Sequence, residues 1–429
     1  MRYHPIDQQL FIQNRKNFVS KLLPNSMAVF HSNDEMYRSG DQNYIFHQNA
    51  DLFYLSGIDQ EQTVLVLFPS SPLENYREIL FLRETNDTIA VWEGQKYTRP
   101  EATEISGIRT VMWLDRYEAV MRELMVAAEH IYLNTNEYPR YSTDLNYRDI
   151  RLGKRLMEQF PFHSYHRSAP IMRTLRTVKH PLETGLIRHA IGITEKAFRR
   201  VLKFVRPGVK EYEAEAEIIH EFIRSGCSGH AFPPIIASGA SACVLHYEEN
   251  HGSCGEGELL LMDFGAEYAH YCSDMTRTIP VGGRFTTRQR EVYEAVLRVM
   301  KQAVRLFVPG NTIDRLHREV CGIMEQELLG LGLLNAAEIR QQDPEKPCYL
   351  KYFPHGTTHF LGLDVHDVGT KQQAFEAGMI LTCEPGIYIR EEGIGIRLEN
   401  DILITEAGPV DLMEGIPLEP EDIESLMNK

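Results

Sequence analysis

The segment Glu258-Leu-Leu-Leu-Met-Asp263-Phe-Gly-Ala-Glu-Tyr-Ala-His-Tyr-Cys-Ser-Asp274-Met-Thr-Arg-Thr-Ile-Pro280 decides how this chain is read. Leu259 to Met262 is an apolar run and Thr276 to Ile279 a second strand-like one, so the segment predicts two strands. A hairpin with its midpoint between Tyr268 and Ala269 would set Asp263 and Asp274 equidistant from the tip. They would then face each other with Cβ atoms ~5 Å apart. Carboxylates opposed this closely repel unless a cation or a shared proton sits between them.

A second pair repeats the device. Glu384 stands in Leu381-Thr-Cys-Glu384-Pro-Gly-Ile-Tyr-Ile389, and Glu399 stands in Gly395-Ile-Arg-Leu-Glu399-Asn-Asp. A hairpin turning at Glu391, Glu392 and Gly393 makes these two acids equidistant as well. Between the pairs lies Phe353-Pro-His355-Gly-Thr-Thr-His359-Phe-Leu-Gly-Leu-Asp-Val-His366-Asp367, whose histidines are unusually dense for a plain core segment. No Glu follows His355, so the zinc-protease helix motif is absent. Upstream, Phe232-Pro-Pro-Ile-Ile-Ala-Ser-Gly-Ala-Ser-Ala-Cys-Val-Leu-His246-Tyr247 ends an apolar run on a histidine.

Asp263, Asp274, His359, Glu384 and Glu399 supply one imidazole and four carboxylates. That set is oxygen-rich ligation for two hard or borderline cations rather than a closed zinc site. Two metals ~3.5–4 Å apart can share carboxylates and hold a hydroxide that attacks an amide, so the pattern points to a hydrolase.

These segments resemble the pita-bread metallopeptidases, and most of all their proline-specific branch, the Xaa-Pro aminopeptidases (aminopeptidase P) and prolidases. The resemblance covers the chain from about Arg176 onward. A weaker match, Tyr44-Ile-Phe-His-Gln-Asn-Ala-Asp-Leu-Phe-Tyr-Leu-Ser-Gly57, resembles the creatinase/prolidase N-terminal domain of aminopeptidase P. The resemblance implies that Asp274 and Glu399 bridge two metals, that Asp263 chelates one, and that His359 and Glu384 complete the other. It implies manganese, with cobalt or zinc possible, which agrees with carboxylate-dominated ligation. It implies that His246 and His366 are outer histidines facing the substrate or the tetrahedral intermediate. His355 and Arg397 are expected to wall the proline pocket, with Tyr388 as a further substrate-binding residue. Glu384 is expected to relay a proton to the departing proline nitrogen. The implied reaction releases the N-terminal residue of peptides with proline in second position, by attack of a metal-bridged hydroxide.

The fold class expected is α/β (α+β). A mixed-sheet N-terminal domain, residues 1–172, would precede a pseudo-two-fold catalytic domain of the pita-bread type, residues 173–429. Helices are predicted over Glu118 to Ala128, Glu183 to Val205, Lys210 to Ser225, from Thr286 (a capping box with Gln289) to Phe307, and from Asn311 to Leu329. Helix, helix, strands occurs twice, each copy carrying an acid-bearing hairpin. Arg173 to Pro181 reads as a connector, and Glu419 to Glu424 as a solvated tail.

Composition agrees with an enzyme. A chain of 429 residues with 43% hydrophobic content can build real cores, and a net charge of −15 argues against a nucleic-acid partner. Seven scattered cysteines with no CxxC pair read as reduced thiols, which suits a cytoplasm. No signal peptide and no membrane-spanning run is expected, and a homodimer or homotetramer is. Two other classes compete. A non-catalytic pita-bread binding protein would have lost the metal ligands, and all five stand here. Prolidase shares the whole site, so only the room beyond the proline ring separates it from an aminopeptidase P.

Overall fold

The structure is a computed structural model describing residues 2–428. It forms two compact units, one spanning His4–Arg176 and the other running from Thr177 onward.

The first unit is built on a six-stranded mixed sheet: β1 (Ser26–His31), β2 (Val64–Leu67), β3 (Glu78–Leu82), β4 (Thr110–Trp113), β5 (His130–Leu133) and β6 (Ser164–Arg167). Its spatial order is β4-β3-β2-β1-β5-β6. β1, β2 and β3 pair antiparallel, and the outer neighbours β4, β5 and β6 pair parallel. Alternate residues Met27, Val29, Val64, Val66, Ile79, Phe81, Ile131 and Leu133 pack on the helix α2 (Tyr117–Ala127). The intervening residues, among them Phe30 and Leu65, are equally buried. Phe30 meets Phe18 of α1 (Gln8–Val19) edge to face at 5.2 Å. A sheet covered on both faces reads as continuous apolar strands, which is how β2 and β3 announce themselves in the sequence. α3 (Ala169–Thr177) follows β6.

The second unit repeats a motif of two helices and a three-stranded sheet. The first copy holds α4 (Pro181–Phe204), α5 (Glu211–Arg224) and strands β7 (Ile235–Ser238), β8 (Leu259–Phe264) and β9 (Met275–Pro280). The second holds α6 (Thr287–Val304), α7 (Ile313–Gly330) and strands β10 (Ile380–Cys383), β11 (Gly386–Ile389), β12 (Ile394–Arg397), β13 (Asn400–Thr405) and β14 (Gly408–Asp411). β8 is central in one sheet and β13 in the other. The Thr286–Gln289 capping box forms as the sequence predicts.

Three expectations need correction. Arg173 to Pro181 is not a plain connector, because α3 continues to Thr177 and Pro181 opens α4 at its first position. Proline there costs nothing, since that N–H has no helical partner. The acidic end is not a solvated tail either. Pro420–Met427 forms a helix, α8, that packs on α4 and α6. Its Ile423 is fully buried and its Glu424 accepts the Phe285 N–H at 3.0 Å.

The third correction concerns the first hairpin. β8 pairs with β9 so that Asp263 faces Thr276, not Asp274. The tip is Ala269–His270, both at positive φ (52° and 66°), a two-residue turn whose twist matches the strands. The register is thus two residues from the expected one. Because strand side chains alternate with period two, Asp263 and Asp274 still share a face, as diagonal neighbours. The second hairpin has the expected register. Cys383 pairs with Asn400 and Gly386 with Arg397, which sets Glu384 across from Glu399.

Gly265 lies where the first hairpin's strands come closest. A Cβ there would stand 1.7 Å from the Ser273 carbonyl oxygen. Gly265→Ala should therefore lower stability by about 3 kcal/mol or more, because backbone rather than a pliable side chain has to move. Thermal unfolding of the purified variant checks this, and an unchanged melting temperature would refute it.

Candidate metal centre

Both hairpins break their ladders at the acids, and the backbone groups released there tie the unit together. The Glu399 N–H donates to the Thr276 carbonyl of the other hairpin at 3.1 Å. The Asp274 N–H donates to Asp401 Oδ2 at 3.2 Å, again across hairpins. The Glu384 N–H donates to the Thr357 carbonyl in the histidine segment at 2.9 Å. Asp274, Glu384 and Glu399 are thus each fixed by their own main chain to a different element, while Asp263 stays paired with Thr276 in its own hairpin.

These bonds bring the five sequence-predicted donors to one place. Asp274, His359 and Glu399 each offer an atom so that all three lie within 4.8 Å of one another. His359 Nε2 stands 3.4 Å from Asp274 Oδ2 and 3.9 Å from Glu384 Oε1. His359 Nδ1 donates to the Phe360 carbonyl at 3.0 Å, so the Nε2 lone pair faces the carboxylates. Burial, then Asp263, Asp401 and Glu384, pushes Asp274 well above the ordinary carboxylate range. Burial, then Asp274, Glu384 and Asp263, does the same to Glu399. Asp263 Oδ1 and Asp274 Oδ1 are buried and meet no hydrogen-bond donor. Orphaned oxygens and mutually repelling acids around one imidazole are what a pair of hard cations would satisfy, so the residues fit such ions.

Behind the acids runs a second chain of contacts. Arg397 donates from Nη2 to Asp263 Oδ2 at 2.6 Å, from Nη1 to the Tyr388 hydroxyl at 2.9 Å, and from Nε to Thr276 Oγ1 at 3.1 Å. The Tyr388 hydroxyl donates to His355 Nε2 at 2.8 Å, and His355 Nδ1 donates to the Gly356 carbonyl at 2.7 Å. Burial and the Arg397 charge pull His355 down to about 3, so it stays neutral and keeps this arrangement. Burial holds Tyr388 protonated, its pKa raised to about 12 against the opposing pull of Arg397. Arg397 itself is buried with each guanidinium nitrogen engaged.

The two outer histidines are exposed. His366 sets its ring edge to face on His359 with centroids 4.4 Å apart. His246 lies in the turn after Gly239–Cys243, near enough for its charge to reach His355. Sequence reasoning missed Thr276 and Asp401. Thr276 Oγ1 donates to Glu399 Oε2 at 2.6 Å, and Asp401 anchors Asp274. Each stands two residues beyond a candidate bridging acid on a strand, so period-two reading could have found both. His317 was also missed. It reaches Thr357 Oγ1 at 2.9 Å from the helix α7, and no local pattern links a helix residue to that loop.

Known proteins share this architecture. The profile of metallopeptidase family M24 matches residues 185–406, and that of the aminopeptidase P N-terminal domain matches residues 11–132. The chain is 36% identical to the Xaa-Pro aminopeptidase of Escherichia coli strain K12, over 98% of each chain. A solved structure of a putative aminopeptidase P from Bacillus anthracis superposes with a TM-score of 0.92, at 33% identity and 99% coverage of both chains. The zinc-substituted E. coli aminopeptidase P in complex with product does so at 0.88, with 33% identity and 99% coverage of both.

The repulsion among the acids yields a test. With metal stripped by a chelator at neutral pH, Asp274→Asn should raise the melting temperature by about 2–4 °C, since it removes a carboxyl whose ionisation burial and the neighbouring acids oppose. The same variant should lose metal uptake, measured by elemental analysis. A destabilised metal-free variant would show that the acids are held by something other than absent cations.

Proposed function

The chain belongs to metallopeptidase family M24, and from that membership we propose that it is a dinuclear Xaa-Pro aminopeptidase. The convergence of Asp274, His359 and Glu399, with Glu384 beside His359 and unpartnered oxygens on Asp263 and Asp274, carries this reading. Asp274 and Glu399 are assigned to bridge two ions, Asp263 to hold one, and His359 and Glu384 the other. Divalent ions follow from the family, and manganese is the assignment favoured by a donor set of four carboxylates and one imidazole. When bound, such ions lower the pKa of water toward neutrality and polarise the amide carbonyl.

The remaining work falls to side chains. Glu384 faces both His359 and His355, and it would take a proton from water and pass it to the departing nitrogen. That nitrogen is the proline's tertiary amide, which has no N–H to satisfy. Neutral His355, its ring nitrogens bonded to Tyr388 and Gly356, would form an uncharged and rigid wall for the ring. Arg397 is assigned to holding Asp263 and Tyr388 rather than to lining the pocket. His366 and His246, at the open side, would donate to the oxyanion as it forms.

The same reading gives a peptide substrate with proline in second position. The two compact units are taken as the two domains, with the catalytic one carrying the metal centre. Among the described residues no helix is long and apolar enough to cross a membrane. All seven cysteines are free, which favours a reducing, cytoplasmic location. A homodimer or homotetramer is the assembly proposed.

Hydrolysis of an Xaa-Pro-Xaa tripeptide beside an Xaa-Pro dipeptide, with manganese and with chelator, tests the function. Manganese-dependent release of the first residue of the tripeptide is expected. Cleavage of the dipeptide alone would make the protein a prolidase instead. Glu384→Gln should lower kcat about a thousandfold, in the range of a lost general acid–base.

A further inference from the structure

We propose that the buried ion pair Lys179–Asp367 is a positioning device for His366. This rests on the assignment of His366 to the developing oxyanion made above. Lys179 Nζ lies 3.0 Å from Asp367 Oδ2, and both side chains are 1% exposed. Asp367 follows His366 directly in the chain, so fixing its carboxylate fixes the backbone from which the His366 ring projects. The Asp367 N–H donates to the Phe360 carbonyl at 2.9 Å, and the Gly362 N–H to the Asp364 carbonyl at 3.1 Å. The turn that carries His366 is thereby closed on the strand-like segment that carries His359.

The turn is shaped around the pair. A Cβ at Gly362 would stand 2.1 Å from Asp367 Oδ2 and 3.1 Å from Lys179 Cε. On the far side, Lys179 immediately precedes the first turn of α4. There Glu183 accepts the His180 N–H at 2.7 Å and meets the Tyr271 hydroxyl at 3.0 Å. The pair therefore links the His366 turn to the rigid start of a long helix.

Stability alone does not account for this arrangement. Removing two charges from water costs several kcal/mol per ion, and apolar replacement of a buried pair is often neutral or stabilising. What the pair gives is a fixed direction and distance. A parallel device supports the reading at the other outer histidine. Tyr247, next to His246, donates its hydroxyl to buried Glu211 at 2.8 Å, and Glu211 opens α5. Each outer histidine thus precedes a residue bound through a buried charge at the start of a helix.

A double-mutant cycle tests the proposal in the full-length, manganese-loaded protein, assayed on an Xaa-Pro-Xaa tripeptide. Asp367→Asn is expected to lower kcat about tenfold or more, with KM within about twofold and bound metal unchanged, as for a lost transition-state contact. In the His366→Ala background, Asp367→Asn should lower kcat no further. The charge-free pair Lys179→Met with Asp367→Leu keeps the volume filled, and it should fold and show the same kcat loss. Losses that multiply in the cycle would overturn the proposal, as would lost metal. So would wild-type kcat in the folded Lys179→Met, Asp367→Leu protein beside an impaired His366→Ala. Wild-type kcat in His366→Ala would instead remove the role of His366 itself.

Discussion

Four carboxylates, Asp274 and Glu399 buried and Asp263 and Glu384 half-buried, are gathered at one place, and the second unit is organised to hold them there. Two like charges about 4 Å apart cost about 4 kcal/mol at an effective dielectric near 20, and Asp274 and Glu399 offer oxygens within 4.8 Å of each other. No chain gathers such groups through side-chain attraction. Here the backbone does it, because the N–H groups of Asp274, Glu384 and Glu399 each leave their own hairpin and bond to a different element. Three of the acids are thus carried into place by main-chain donors, Glu384 and Glu399 on carbonyls and Asp274 on the Asp401 carboxylate. Cations then convert the repulsion into ligation.

The same economy shapes the wall behind the acids. Arg397 neutralises Asp263 from one side, and passes through Tyr388 to His355 on the other. One buried guanidinium therefore ties a metal-facing carboxylate to the neutral imidazole that faces the proposed proline pocket. His355 stays uncharged beside it, with both ring nitrogens already bonded to Tyr388 and Gly356. A charge on the acid side and its absence on the ring side come from a single residue. These groups stand on strands and on a braced loop, which hold geometry better than free loops do.

The cysteines inside the motif strands have no part in this chemistry. Cys272 and Cys383 are fully buried, and burial pushes both thiols well above their usual range. They stay protonated and serve as small packing groups beside Asp274 and Glu384. A thiolate nucleophile is therefore not an alternative to the carboxylate centre.

Much of this was legible along the chain. The apolar runs around Asp263 and Asp274, the symmetry of Glu384 and Glu399 about their turn, the histidine spacing and the Thr286 capping box are local patterns. Local patterns survive in sequence because alternation and capping act within a few residues. The register of the first hairpin was not legible. Its turn at Ala269–His270 places two non-glycine residues at positive φ, and nothing in their identity signals it. The helix Pro420–Met427 was equally hidden, since its acidic face masks the two buried residues, Pro420 and Ile423, that pack it down. Most of all, the bonds of Arg397 to Asp263, Tyr388 and Thr276, and the contacts of Asp401 and His317, were not legible. Those roles depend on which strands lie side by side. Only the tertiary structure decides that, because the bonds joining the hairpins link residues more than a hundred positions apart.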